Sequence, residues 1–363
     1  MFSARFSIMT ILHLDHSLKF IDLRNQYPGL FPLWILLELF FGMGELPLFW
    51  GLLLIVALGV GLYLVYDHKR AHFENEHAHF TLSAFREYAF PTQVFSSLDT
   101  RSDLFMMMMN GVILKLPFLA ALYATTQVGP WITEQLKTFL GTYRTTNVDS
   151  TWLVRGGYLL AAYLVNDFAQ YWSHRLGHRI PWLWALHRVH HSSSELSFLT
   201  AFREHPVFLF GQAWVMALSL SLLQGLTEYF APGASSALDL FAGTLFSYVI
   251  LRANFFFGHF SRPLSYGWLD YWVISPSVHR VHHSADPAHH HFNYGSRTTL
   301  WDWMFVTLHV PSREELEQIK IGPGENVDQG LDSHPKAQRY RSHPLYTLYW
   351  EPTLLSIKSL IKG

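Results

Sequence analysis

The side chains with the greatest chemical potential in this chain are its histidines. Of 363 residues, 22 are histidine, against 26 lysines and arginines, and none is cysteine. Three motifs stand out by spacing: His174-Arg-Leu-Gly-His178, His187-Arg-Val-His190-His191 and His279-Arg-Val-His282-His283. Separations of three and four place side chains on one face of a helix. Each motif can therefore turn two or three imidazoles toward one point. Imidazole suits zinc, copper, iron and nickel. The eight imidazoles of these motifs are too many for one metal with an open position. They suit two metals with about four nitrogens each, leaving places for water, dioxygen or substrate.

None of the motifs contains a carboxylate, which a hydrolytic H-E-x-x-H site supplies as its general base. A purely imidazole donor set at a membrane face suits iron redox chemistry on an apolar substrate. Two other readings use the same clusters: a membrane zinc hydrolase, and a protein that transports or stores metal. Transport would need polar ligands within the membrane spans, whereas the motifs lie beyond span ends. The lack of cysteine excludes disulfide scaffolds, Cys-based zinc fingers, iron–sulfur clusters and thiol nucleophiles. A net charge of −1 gives no polyanion-binding surface, so nucleic acid is not an expected partner.

The elements that must carry these motifs are apolar helices. Half the chain is hydrophobic and only 15% is charged. Five windows approach the roughly 20 apolar residues that a spanning helix needs: Leu46–Tyr66, Leu104–Ala124, Trp152–Trp172, Pro206–Leu226 and Leu238–Gly258. A shorter apolar stretch at Leu30–Gly44 carries Glu38. No cleavable signal peptide is expected, because Asp15, Lys19, Asp22 and Arg24 break the first thirty residues into short pieces. Lysine and arginine concentrate in 67–103, 173–205 and 259–363, which should share the cytoplasmic face. Residues 174–205 and 259–309 together hold 14 of the 22 histidines and flank the fourth and fifth windows. Two spans return the chain to the side it left, so both histidine-rich segments face one compartment and can meet.

At these residues the chain resembles the fatty acid hydroxylase/sterol desaturase superfamily of integral-membrane, non-haem di-iron oxygenases. Asn166–His178 looks like that family's first histidine box, Trp184–Ser193 like its second, and Ser275–Ser284 like its third. Asn293-Tyr294-Gly295 and Trp301-Asp302 resemble the signature that follows the third box. The resemblance covers roughly 150–310, with a flavour of the bacterial sterol desaturase and alkylglycerol monooxygenase branches. It implies metal ligation by His174, His178, His187, His190, His191, His279, His282 and His283, with His259 as a ninth. The residue four after His259 is Pro263, so the HxxxH that some hydroxylases have there is missing. His205 and His289, His290 or His291 are the remaining candidates for a further ligand. Asp167 lies two helical turns before His174 and is expected to orient a ligand histidine; Glu195, Glu204, Asp286 and Asp302 are weaker candidates for that role.

The expected fold is all-α: an integral-membrane, multi-pass helical bundle with a cytoplasmic histidine-rich cap holding a dimetal site. Its parts are an N-terminal membrane-associated region (1–103), a catalytic region (104–310) and a polar C-terminal tail (311–363) acting as a flap. The resemblance implies hydroxylation or desaturation of an unactivated C–H position of a lipid, with two iron ions, dioxygen and two external electrons. The chain lacks a flavin or NAD fingerprint, so an electron donor such as a cytochrome b5-like protein, or a ferredoxin with its reductase, is an expected partner. Aromatic residues around the boxes, among them Trp172, Trp268, Trp272 and Trp303, fit an interfacial belt.

Overall fold

The computed structural model describes residues 59–61, 63–68, 81–113, 124–143, 152–234, 257–322 and 346–362. All of them belong to one compact unit, Val56–Gly363. The windows at Leu46–Tyr66 and Leu238–Gly258 fall largely outside the described residues, as does most of the N-terminal region. The described residues are helical and contain no β-strand, only two isolated bridges, Val273–Thr298 and Ser284–Ile321.

The helices used below are α1 (Leu82–Ala89), α2 (Leu98–Ile113), α3 (Gly129–Leu140), α4 (Trp152–Arg179), α5 (Pro181–His187), α6 (Pro206–Phe230), α7 (Pro276–His282), α8 (Leu300–Met304), α9 (Arg313–Gln318) and α10 (Glu351–Lys362). With 28 residues, α4 is about 42 Å long. It stops where Ile180 turns extended ahead of Pro181, as the residue before proline tends to. Pro181 and Pro276 each sit in the first turn of a seven-residue helix, where the missing N–H costs nothing. Both of those helices close on histidine, so α4, α5 and α7 all carry a histidine motif at or near their C-terminal ends. Helix C-termini carry partial negative charge and favour cations.

Among the described residues, one helix is long and apolar enough to cross a membrane by length and composition: Pro206–Phe230, with mean hydropathy 1.7 over its best window. Val207, Phe210, Val215, Leu218, Leu222 and Phe230 face outward from it, an apolar stripe that hydrocarbon would cover. On its inner side α6 packs on α3 and α4. Gly225 allows the α3 crossing, since a Cβ there would lie 2.6 Å from Ile132 and 2.9 Å from the Gly129 carbonyl. Thr133 donates across the same crossing to the Gly225 carbonyl at 3.1 Å.

A buried polar lattice fixes the segment between the second histidine box and α6. Arg203, 1% exposed, donates to Asp103 at 2.5 Å, to the Asp99 carbonyl at 2.8 Å and to Ser192 at 3.1 Å. Thr200 donates to Asp103 at 2.8 Å. Asn110 donates to the carbonyls of Phe202 (3.2 Å) and Glu204 (2.7 Å). Arg203, one of the loop cations behind the topology expectation, is thus neutralised inside the protein by α2. The tail also folds back. α10 packs on α5, and Leu348 is buried with Met106 and Val189.

Val306 has φ +56 and sits just past the end of α8. The Thr307 N–H donates to the Asp302 carbonyl at 2.7 Å and the Val306 N–H to the Trp303 carbonyl at 3.4 Å, the Schellman pattern in which that position is usually glycine. A β-branched residue there is strained. Val306→Gly should therefore raise unfolding free energy by about 1 kcal/mol, read by thermal unfolding in detergent. Arg203→Met should have the opposite effect, costing about 3–5 kcal/mol by leaving Asp99 and Asp103 without their buried cation. An unchanged melting midpoint would contradict that role.

Candidate metal centre

All nine histidines expected as ligands converge, and they sort into two groups. His174, His178, His187, His191 and His282 form one; His190, His259, His279 and His283 form the other. Within each group the candidate ligand atoms lie within 4.8 Å of one another. Eight of the nine side chains are buried and His178 is half-buried.

The two HxxHH boxes are split between the groups in opposite ways. Box two sends its first and last histidines to the five-membered group and its middle one, His190, to the other. Box three sends His282 to the five-membered group and His279 with His283 to the other. Both boxes run past the end of their helix, α5 closing at His187 and α7 at His282, so the histidines that follow leave the shared helical face. One box thus reaches two points. Box one gives both its histidines to the first group, and His259 makes up the fourth member of the second.

Burial keeps the imidazoles neutral. It pushes His174 down to about 4 and carries His178, His187, His190, His191, His279, His282 and His283 below the usual histidine range. Their lone pairs are therefore available at neutral pH. Backbone carbonyls decide which nitrogen carries the proton. His174 Nδ1 donates to the Tyr294 carbonyl at 2.8 Å, His282 Nδ1 to the Phe292 carbonyl at 2.9 Å, and His190 Nδ1 to the Arg203 carbonyl at 3.3 Å. A carbonyl can only accept, so Nε2 of each ring is bare.

That leaves an unsatisfied set. Nε2 of His174, His178, His187, His191 and His282 is buried with no hydrogen-bond partner. In the second group, Nε2 atoms of His190, His259, His279 and His283 stand 3.0–3.1 Å apart in sequence. Buried polar atoms are normally paired. In the first group, converging bare nitrogens repel unless a cation lies among them. The donor set fits two metal ions of the imidazole-binding kind.

Glu204 touches both groups. Its carboxylate lies 3.5 Å from His187 Nδ1 and 3.4 Å from His190 Nδ1. Burial pushes its carboxyl well above the ordinary range. The sequence reading held it only as a weaker candidate, because nothing in spacing reveals that Asn110 and Arg203 aim it inward. A cavity opens between the groups. His174 and His187 from one and His190, His259 and His279 from the other line it, together with Glu204, Gln170 of α4 and Gln212 of α6.

Asp167, expected beside a ligand histidine, bonds elsewhere. It accepts from Thr298 at 2.5 Å and Trp301 at 3.1 Å, and Arg297 stands 3.9 Å away. It anchors the loop whose carbonyls hold the histidines, one step removed from the rings. Asp302 does similar work, accepting from the Tyr294 N–H at 2.8 Å, the Gly295 N–H at 2.7 Å and Thr307 at 2.7 Å; burial pushes it up to about 7. A Cβ at Gly295 would meet the Thr298 carbonyl at 2.5 Å and Asp302 at 2.7 Å. Asn293 has φ +59, and its side chain bonds the Val278 and His309 carbonyls at 2.8 and 2.7 Å. The Asn-Tyr-Gly signature is therefore the support of the rings. Sequence reading noted it without its mechanism.

His205 stands apart. Its Nδ1 accepts from the Val207 N–H at 3.3 Å, capping α6, so Nε2 carries the proton that goes to the Tyr349 carbonyl at 2.9 Å. Neither nitrogen is left for a metal. Among His289, His290 and His291, none joins the two groups.

The fatty acid hydroxylase profile matches residues 159–307, a span that runs from α4 through α8 and contains both histidine groups. Residues 159–307 are thus similar to the fatty acid hydroxylase family. Among similar proteins, the alkylglycerol monooxygenase of Homo sapiens is 27% identical over 244 residues, covering 66% of this chain and 47% of that protein. The alkylglycerol monooxygenase of Danio rerio is 32% identical over 147 residues, covering 40% and 29%. Ornithine lipid hydroxylase OlsE of Rhizobium tropici is 28% identical over 158 residues, covering 44% of each. The chain thus spans less than half the length of these relatives. No solved structure matches it.

In this region, Glu204→Ala should weaken metal retention at both groups together, by about 10–100-fold, the usual cost of removing a partner of a ligating histidine. Competition against a chromophoric chelator would read it. Loss of only one metal, or of none, would show that Glu204 does not serve both.

Proposed function

We propose that the chain is a membrane-bound, oxygen-dependent lipid hydroxylase with two iron ions held by the nine histidines. The observation that carries this reading is the set of five orphaned Nε2 atoms beside four crowded ones, with members of both groups lining one cavity, in a region similar to the fatty acid hydroxylase family. When bound, two irons supply dioxygen activation and oxidation of an unactivated C–H bond, using two electrons from outside.

The chain's own residues do the rest. Carbonyls of Phe292, Tyr294 and Arg203 hold the proton on Nδ1 of His282, His174 and His190 and so keep each Nε2 free for metal. Glu204 lies at the cavity edge against Nδ1 of His187 and His190; a dication nearby would favour its ionised form, which can accept from those ring N–H groups. Gln170 and Gln212 offer amides to a polar part of the substrate, while Ile274 borders the cavity on an apolar side. The exposed apolar face of α6, and exposed Trp268, Trp272 and Trp303, support entry of a lipid from the bilayer. The cation distribution supports a cytoplasmic active site on a multi-pass protein. Electrons would come from a cytochrome b5-like protein or a ferredoxin with its reductase.

The fatty acid hydroxylase match and the similarity to a monooxygenase and a lipid hydroxylase favour hydroxylation over desaturation. Comparative lipid mass spectrometry of cells with and without the gene tests this. The expected result is a lipid species one oxygen heavier that appears only with the gene and only in air. A species lacking two hydrogens would replace hydroxylation by desaturation. Stoichiometric zinc in active protein, with turnover independent of oxygen, would overturn the oxygenase reading in favour of a zinc hydrolase.

A further inference from the structure

Outside the nine histidines lies a third convergence of metal-binding side chains: His289, His309 and Glu315. Glu315 Oε1 stands 2.7 Å from His309 Nε2 and 3.1 Å from His289 Nε2. These separations are as short as, or shorter than, the 3.0–3.1 Å between ring nitrogens in the four-histidine group. All three side chains are half-buried, at 14%, 32% and 28% exposure, so the site opens to water on one side.

Each of the three is positioned by a separate device. His289 closes a 3₁₀ turn capped by Asp286, and its Nδ1 pairs with Ser284 Oγ at 2.9 Å. The backbone of His309 is clasped by Asn293, which accepts from its N–H at 2.8 Å and donates to its carbonyl at 2.7 Å. Glu315 belongs to the capping box of α9, in which its other oxygen accepts from the Ser312 N–H at 3.3 Å. That fixes Oε1 toward the two rings. Loops held this way lose little freedom when an ion binds, which is what preorganises a site.

We propose that His289, His309 and Glu315 form a third metal site, separate from the two histidine groups, for a borderline divalent cation such as zinc. Two imidazoles and one carboxylate match the donor set that zinc takes with a water as fourth ligand. The hard cations calcium and magnesium prefer oxygen donors. The ion would tie the 309–322 segment to the loop that follows the third box. The chain already approaches itself there, through the Ala285 N–H to the Lys320 carbonyl at 2.8 Å and the Gly322 N–H to the His283 carbonyl at 3.3 Å.

The test is zinc binding by the full chain in detergent, stripped with chelator and titrated with zinc alone. The bound metal is then counted by elemental mass spectrometry. The wild-type protein should hold one equivalent more than His309→Ala and one more than Glu315→Gln. Glutamine keeps the reach-back bond of a capping box, so a loss in Glu315→Gln is not loss of α9. Equal counts in wild type and both variants would overturn the site and leave a hydrogen-bonded cluster. His282→Ala, which removes a member of the five-histidine group, keeps this outcome distinct from failure of the dimetal reading, because the His309→Ala difference should persist in that background. Zinc should also slow amide exchange across 309–322 in wild type and not in His309→Ala. Unchanged exchange on a filled site would overturn the clamp.

Discussion

The centre depends on the far nitrogen of its histidine rings. A buried imidazole offers a lone pair in a chosen direction only when its other nitrogen is committed. For His174, His190 and His282 that commitment comes from main-chain carbonyls, those of Tyr294, Arg203 and Phe292. Carbonyls have no protonation state to lose and cannot swing on a flexible stem. The loop that carries Phe292 and Tyr294 is in turn fixed by Asn293 in a left-handed conformation, by Gly295 where no Cβ fits, and by Asp302 beneath it. Removing any one of these would release a proton to the wrong nitrogen without touching a ligand.

The helices supply the second half of the arrangement. Histidine motifs sit at or near the C-terminal ends of α4, α5 and α7, where the backbone already favours positive charge. α2 contributes no histidine, yet its Asp103 and Asn110 hold the segment from Thr200 to Glu204. α6 connects this lattice to an apolar outer face. The polar interior and the apolar exterior are thus two sides of the same helices.

Eight of the nine histidines were legible in the sequence because helical periodicity is local: spacings of three and four survive whatever the rest of the chain does; His259 has no spaced partner and came only from the family resemblance. The all-α architecture was legible for the same reason. Which histidine joins which group was not, because each box runs past its helix end, and the rotation there depends on tertiary packing. Asp167 was misplaced by a similar argument. Its seven-residue offset from His174 sets a shared face, but Thr298, Trp301 and Arg297 arrive from a segment far along the chain. Long-range partners leave no spacing signal, and the same holds for Glu204. His205 shows the converse: a histidine next to a box, spent entirely on capping α6 and holding the tail.

The opposite splitting of the two HxxHH boxes makes each box a tether. His190 is joined within five residues to His187 and His191 of the other group, and His282 likewise to His279 and His283. The two donor groups are therefore linked twice through continuous backbone and not only through how the helices pack. Any shift of α5 or α7 would carry members of both groups together.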